Sequence, residues 1–97
     1  MELRKGTDYT GISVVFLCHD GLEHFLLHKR SQTCRDEQGT WDCGGGGVEF
    51  GDTVEETLHK EVMEEYCATI ISYQFLGYGD VFRESEGKPT HWLAFHF

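Results

Sequence analysis

The first part of the chain alternates between short apolar runs and polar breaks, a pattern typical of strands and turns. Residues 12–18 are β-branched and apolar, so they predict a buried strand. Asp20 and Gly21 follow as a dipeptide that favours a hairpin turn, and residues 25–27 supply an apolar return strand. Residues 31–40 are polar and predict a loop after this hairpin.

The clearest helix signal lies in the middle of the chain, where apolar residues recur at every fourth position. The stripe consists of Val54, Leu58, Val62 and Tyr66. Asp52 or Thr53 can cap the amino-terminal end, and Glu55 or Glu56, three residues further on, can complete a capping box. The pattern therefore predicts an amphipathic helix that packs one side against a core.

Two more strands are predicted after the helix, at residues 70–76 and 92–97. A polar loop separates them and contains Gly79, Asp80, Gly87 and Pro89. Strands, one helix and further strands predict a mixed α/β fold, and the length suits one domain over residues 1–97.

Four consecutive glycines, Gly44 to Gly47, precede the helix and predict a glycine-rich loop, because no regular helix tolerates such a run. On the helix, the carboxylates of Glu61, Glu64 and Glu65 share one flank beside the apolar stripe. Their spacing makes them neighbours that repel one another by a few tenths of a kcal/mol per pair, roughly. Such a cluster is either a solvated acidic face or a platform for a hard cation such as Mg²⁺.

Composition narrows the class of partner. The formal net charge is −9, which repels nucleic-acid polymers and anionic membranes, and no apolar run approaches the roughly 20 residues that span a bilayer. The four cysteines contain no C-x-x-C pair and are Cys18, Cys34, Cys43 and Cys67. With no secretory leader after Met1, we expect reduced thiols and a cytoplasmic protein.

The stretch from Gly46 to Ala68 resembles the signature of the Nudix hydrolases, the MutT-like family: G-x5-E-x7-R-E-U-x-E-E-x-G-U, where U is bulky and apolar. The matching positions are Gly46, Glu61, Val62, Glu64 and Glu65. Three positions depart from the pattern: Asp52 stands for the first Glu, Lys60 for Arg, and Cys67 for the second Gly. Cys67 in particular would have to adopt the left-handed conformation that glycine favours at a helix end.

The resemblance implies an α/β/α sandwich with a mixed sheet. That fold usually carries a further strand and helix beyond the region where this chain ends, so we expect an incomplete Nudix domain. A sheet face left bare in this way favours edge pairing, and we therefore also expect self-association into a homo-oligomer.

The resemblance further implies Mg²⁺-dependent hydrolysis, with Mn²⁺ as an alternative cofactor. The bond cleaved would be a pyrophosphate bond in a nucleoside diphosphate linked to another moiety: a nucleoside triphosphate, a nucleotide sugar or a dinucleotide. By analogy Glu61 and Glu65 would bind the metal directly. Glu64 would be either a further ligand or a residue that contacts one of the ligands. These three glutamates are the candidate catalytic residues. The carbonyl of Gly46 would supply a further ligand.

Several points stay open at this level. Glu61 is one candidate for the general base, but many relatives supply that carboxylate from a later loop; Asp80, Glu84 and Glu86 are weaker candidates. Arg30 and Arg35 are candidate substrate-binding residues that could meet phosphates, with surface charge as the simpler interpretation. Aromatic residues that could stack on a base, or belong to the core, are Phe75, Tyr78, Phe82 and Trp92. The alternative function is a Nudix-like domain that binds a nucleotide as a sensor without hydrolysing it.

Overall fold

The computed structural model describes residues 2–19 and 44–97, together with the backbone of three short strand segments between them. The elements are β1 (Gly11–Phe16), β2 (Cys18–His19), β3 (Phe25–Leu26), β4 (His28–Lys29), β5 (Trp41–Asp42), β6 (Gly44–Gly47), α1 (Val54–Tyr66), β7 (Gly77–Ser85) and β8 (Lys88–His96). The predicted loop at 31–40 and the turn residues Asp20 and Gly21 lie outside the described residues.

The main sheet has four strands in the order β6-β1-β8-β7. Strand β1 pairs antiparallel with β6 and parallel with β8, and β7 pairs antiparallel with β8. The predicted mixed α/β arrangement is therefore confirmed. Strands β2 and β3 pair antiparallel, as the predicted hairpin requires, and β4 pairs antiparallel with β5.

Helix α1 packs on the β6 and β1 side of the sheet and closes the hydrophobic core. The buried cluster consists of Val14, Phe16, Leu58 and Val62. Val54 and Tyr66 are half-buried against this cluster, and the Tyr66 ring meets Phe16 edge-on at 6.2 Å between centroids. The apolar stripe predicted for the helix is thus the face that it buries.

Both ends of α1 follow from local chemistry. Thr53 is the N-cap: its hydroxyl accepts from the Glu56 backbone N–H at 3.0 Å, and the Glu56 carboxylate accepts from the Thr53 N–H at 3.4 Å. This reciprocal pair selects Thr53 and Glu56 from the predicted capping alternatives. At the other end, Cys67 adopts the left-handed conformation with φ 53° and ψ 38°, and its N–H donates to the Met63 carbonyl. None of the described helices is long and apolar enough to cross a bilayer.

The prediction of a strand at residues 70–76 is wrong. Strand β7 begins only at Gly77, and the preceding segment is irregular. Two of its aromatic side chains instead pack across the sheet face on the end of the chain: the Tyr73 and Phe75 rings lie 5.7 and 5.5 Å from the Phe97 ring, centroid to centroid. Tyr73 and Phe75 thus contact the sheet through their rings. Of the described residues 70–76, only Leu76, next to β7, bonds to β8, through its N–H to the His96 carbonyl at 2.8 Å.

The predicted polar loop between the last two strands is also wrong, because Gly79 and Asp80 lie within β7 and Pro89 within β8. The turn is confined to Glu86 and Gly87, both with positive φ, at 53° and 78°. This is the backbone that a tight two-residue hairpin turn needs. Pro89 is tolerated because β1 joins β8 only from Trp92 onward, so within the described residues one flank of β8 has no strand partner at the proline.

Replacing Cys67 by Gly should stabilise the protein. A non-glycine residue in the left-handed region costs about 1 kcal/mol or more, and Cys67 is exposed, so little packing is lost. We expect the free energy of unfolding, from urea titration followed by circular dichroism, to rise by about 1 kcal/mol. Cys67→Ala keeps the strained backbone and should show no comparable gain; equal effects of Ala and Gly would contradict this account.

Candidate active site

The glycine run that precedes the helix forms strand β6, so the prediction of a loop there is wrong. Because strand residues alternate between faces, Gly44 and Gly46 face α1 while Gly45 and Gly47 face away. A Cβ added at Gly44 would overlap the Phe16 ring and the Glu65 carboxylate, and one at Gly46 would overlap the Glu61 carboxyl group. The glycines are therefore required by the close approach of the helix rather than by a turn.

Two of the three predicted carboxylates lie in this contact. The Gly45 backbone N–H donates to Glu65 Oε2 at 3.2 Å, and the Glu61 carboxyl group packs directly on the backbone of Gly46. Glu64 lies on the exposed side of α1 next to them. The structure thus brings Glu61, Glu65 and Gly46 together at one face of the sheet, with Glu64 at the solvent side.

Negative charge is concentrated at this site. Burial raises the pKa of Glu61 above its ordinary value of 4.5; the neighbouring Glu64 and Glu49 raise that pKa further, while Lys60 lowers it. Burial, followed by the charge of Glu65, likewise raises the pKa of the Cys18 thiol. Among these carboxylates, Glu61 is thus the one whose charged form the site disfavours.

Two of the departures from the family signature contact each other. The Lys60 ammonium lies 3.7 Å from Asp52 Oδ2, so the shorter carboxylate and the substituted cation form an ion pair across the first turns of α1. Both side chains are partly exposed, at 43% and 36%. Such a pair is worth at most about 1 kcal/mol, so it orients the start of the helix more than it stabilises the fold.

Lys5 is a neighbour of the site that the sequence did not indicate. Its ammonium donates to the Val48 carbonyl at 2.8 Å and lies 3.3 Å from the Glu49 carboxylate. Lys5 and Val48 are separated by 43 residues, and no local pattern links them. Only the sheet order, which brings the start of the chain beside β6 and β8, could have revealed this contact.

The other sequence candidates lie elsewhere. Arg30 and Arg35 fall outside the described residues, so their contact with phosphates stays a prediction. Asp80 pairs with His91 at 2.7 Å part-way along the β7–β8 hairpin, and Glu86 pairs with Arg4 at 4.0 Å at the hairpin turn.

The four aromatic candidates have protein neighbours. Phe75 and Tyr78 lie against Phe95, with ring centroids 6.1 and 6.0 Å apart. Phe82 stacks on His91 at 4.3 Å. The Trp92 ring is covered by the backbone of Gly6 and Gly11, where any Cβ would overlap the indole. Trp92 therefore belongs to the packing of the sheet, while stacking on a base stays a prediction for the others.

Adding a methyl group at Gly44 should destabilise the fold. In Gly44→Ala the new Cβ meets the buried Phe16 ring, which cannot move away cheaply. We expect a loss of about 1–3 kcal/mol in the free energy of unfolding, measured by urea titration. Gly79→Ala is the matched control, since a Cβ at that strand glycine would meet nothing within 4 Å. If both variants unfold like the parent, the proposed close packing of α1 on β6 is wrong.

The raised pKa of Glu61 predicts a pH-dependent effect of Glu61→Gln in the absence of metal. The folded state holds the Glu61 proton to a higher pH than the unfolded state, so the associated stability is present below pH 4.5 and is lost as pH rises through the folded-state pKa. Gln is neutral throughout, so the variant should melt above the parent near neutral pH. This difference in melting temperature between the variant and the parent should disappear at pH values below 4.5.

Thermal melts in a metal chelator across this pH range test the prediction. Glu55→Gln, at an exposed position in the first turn of α1, is the control and should show no gap that grows with pH. A constant gap for Glu61→Gln across the range would show that burial and crowding of its charge are not the cause.

Comparisons with known proteins agree with this geometry. The NUDIX domain family matches residues 9–97. The MutT protein from Methanosarcina mazei Go1 has a similar structure, with a TM-score of 0.67 and 31% identity over 90% of this chain and 62% of that chain. The E. coli ORF135 protein has a TM-score of 0.56 and 28% identity over 90% of this chain and 59% of that chain. A comparison with curated proteins finds no match.

A third structure, the C. elegans Ap4A hydrolase, shares the fold with a TM-score of 0.55 and 19% identity, over 91% of this chain and 67% of that chain. The chain spans 62% of the length of the M. mazei MutT protein and 59% of ORF135. The resemblance that rests on Gly46, Glu61, Glu64 and Glu65 is confirmed by the family match, and the Nudix-type α/β fold by the structures. The chain belongs to the Nudix family.

Proposed function

We propose that this protein hydrolyses a pyrophosphate bond in a nucleoside diphosphate linked to another moiety. The observation that carries the proposal is the contact of Glu61 and Glu65 with a glycine strand that has no side chains on that face. It holds two carboxylates and an accessible stretch of main chain at one place, next to the exposed Glu64. Family membership supports a pyrophosphate hydrolase of this kind.

Mg²⁺ is the proposed cofactor, with Mn²⁺ as an alternative. The donor set is oxygen alone, namely the carboxylates of Glu61, Glu64 and Glu65 with the Gly46 carbonyl, which suits a hard cation. Burial, followed by the charges of Glu64 and Glu49, raises the Glu61 pKa, and a bound cation would offset this. When bound, the metal would neutralise phosphate oxygens and lower the pKa of a bound water.

The protein's own contribution is position and charge. Glu65 is held by the Gly45 N–H, and Glu61 is confined against Gly46, so neither carboxylate has to be ordered when the substrate arrives. Glu61 also stays a candidate general base, since burial and the neighbouring Glu64 raise its pKa and so make it a stronger proton acceptor than an ordinary glutamate. Asp80 and Glu86 are paired with His91 and Arg4, which supports their low rank for this role.

The nucleoside part of the substrate is proposed to bind in a cleft beside the carboxylates. An open apolar cleft of about 620 Å³ lies between the carboxyl end of α1, the end of β1 and the segment after the helix; its lining includes Phe16, Cys18, Tyr73 and Phe97. Glu65 is close enough to raise the Cys18 pKa, so the cleft adjoins the acidic site. A volume of this size fits a small ligand. Arg30 and Arg35 are the proposed phosphate contacts.

We also infer that residues 1–97 act as one unit in the cytoplasm. In the described part of the chain, Cys18 and Cys67 are free thiols, which supports a reducing compartment. Self-association is part of the same proposal: β7 is an edge strand of the main sheet, and the Tyr78 and Phe82 side chains that it carries are 68% and 71% exposed.

A substrate panel with Mg²⁺ tests the enzymatic proposal: a nucleoside triphosphate, a nucleotide sugar and a dinucleotide, with released phosphate and pyrophosphate quantified. We expect metal-dependent turnover of at least one class. Glu65→Gln should lower kcat by about 100-fold or more, because even residues behind a metal ligand are worth 10–100-fold. Glu55→Gln, at an exposed position in the first turn of α1, is the control and should retain activity. No release from any class by the folded protein would refute the proposal.

Nucleotide binding without hydrolysis is the alternative. It is favoured by one observation: within residues 2–19 and 44–97, no three acidic, histidine or cysteine side chains converge closely enough to hold a metal ion as they stand. The two functions differ in what Glu65→Gln changes. If the protein is a sensor, the parent and the variant both bind nucleotide and neither releases product. If it is an enzyme, the parent releases product, and the variant keeps binding nucleotide but loses turnover.

A further inference from the structure

The Lys5 side chain links the beginning of the chain to the segment that enters the helix. Its ammonium donates to the Val48 carbonyl at 2.8 Å and pairs with the Glu49 carboxylate at 3.3 Å. The side chain is only 24% exposed, whereas that of Glu49 is 66% exposed. Lys5 is therefore a largely covered cation at the rim of the acidic site and not a freely solvated one.

The backbone that carries Lys5 is itself anchored. The neighbouring Gly6 has φ 83°, lies flat on the Trp92 indole, and accepts a hydrogen bond from the His91 N–H at 2.8 Å. The Lys5 ammonium then lies 3.7 Å from the point where a Cβ on Gly47 would be. Lys5 thus reaches β6 from a fixed position on β8, across the sheet face opposite to α1.

Lys5 contacts Val48 and Glu49, the two residues at which the chain leaves strand β6 toward helix α1. The Val48 N–H still pairs with the Ile12 carbonyl at 2.8 Å, while its own carbonyl is taken by Lys5. A turn follows at once, with the Asp52 N–H donating to the Glu49 carbonyl at 3.0 Å, and Thr53 caps the helix. Six residues connect β6 with α1, so a fixed Val48 and Glu49 limit how α1 can shift on the glycine strand.

The ion pair with Glu49 is the second contact of the Lys5 ammonium. An exposed ion pair alone would have little effect. The hydrogen bond to a backbone carbonyl from a mostly covered ammonium adds a geometric constraint, and charge-assisted bonds of this kind are the stronger ones.

We propose that Lys5 is a positioning residue of the acidic site, fixing Val48 and Glu49 so that Gly46 and Glu61 keep their close contact. Lys5 touches neither substrate nor metal in this role; it acts through the strand-to-helix connection. The inference rests on the proposed function only in that the site is taken to bind a divalent cation. It does not depend on which nucleotide is hydrolysed, or on hydrolysis at all.

The test is Mn²⁺ binding to the full chain without nucleotide, followed by electron paramagnetic resonance and calorimetry, for Lys5→Met, Lys5→Arg and Arg4→Met. Lys5→Met should weaken Mn²⁺ binding by about 10-fold, the scale found for residues that orient metal ligands. Lys5→Arg keeps a cation that can donate to the same carbonyl and should recover most of the affinity. Arg4→Met removes the adjacent cation, which pairs only distantly with Glu86 at 4.0 Å, and should bind like the parent.

Melting curves accompany each variant, so that a folding defect is recognised as one. If Lys5→Met is unfolded at the assay temperature, Lys5→Gln replaces it, because Gln has a shorter polar side chain that suits this largely covered position and carries no charge. Parental Mn²⁺ affinity in a folded Met or Gln variant would overturn the inference, as would failure of Lys5→Arg to recover binding. So would a parent protein that binds no Mn²⁺.

The hydrolysis assay separates this inference from the proposed function. If the parent hydrolyses a substrate while its Lys5 variants bind Mn²⁺ normally, the positioning role is refuted and the enzymatic function stands. If the Lys5 variants lose Mn²⁺ affinity while the parent releases no product from any substrate, the positioning role stands and the enzymatic function is refuted.

Discussion

The close contact between helix α1 and strand β6 is the constraint on which the rest of this structure depends. The helix comes so near to the strand that Gly44 and Gly46 have no room for a Cβ, and the space goes to the Glu65 and Glu61 carboxylates instead. A main-chain N–H, from Gly45, becomes available to one of those carboxylates. The strand is thus both a member of the sheet and one wall of the candidate site.

That contact forces charge into a half-buried place, and magnitudes show why the fold accepts it. Burying side chains such as Leu58 and Val62 stabilises the folded state by about 1.5–3 kcal/mol each. Repulsion between neighbouring glutamates on a helix costs only a few tenths of a kcal/mol per pair, roughly. Core burial therefore outweighs the repulsion around Glu61, and the helix stays in place with its acidic flank.

The opposite sheet face shows how distant parts of the chain support this arrangement. Trp92 on β8 is covered by Gly6 and Gly11, and this stacking sets the segment before β1 on the sheet. From there the Lys5 side chain reaches the connection between β6 and α1. Both faces thus act on the same short connection: the core residues of α1 from one side, and the amino-terminal segment from the other.

The sequence by itself determined whatever depends on neighbours along the chain. The helix, its buried stripe and the shared flank of Glu61, Glu64 and Glu65 follow from spacings of a few residues, and the left-handed end at Cys67 was expected from the resemblance to the Nudix signature. Tertiary structure alone decided that the glycine run is a strand. The glycines pair with β1, and the need for glycine at these positions follows from the close packing of α1 on them. Tertiary structure also decided that residues 70–76 are irregular, with Tyr73 and Phe75 packed on Phe97, and that Lys5 meets Val48. Such contacts join residues far apart in sequence, and no local periodicity records them.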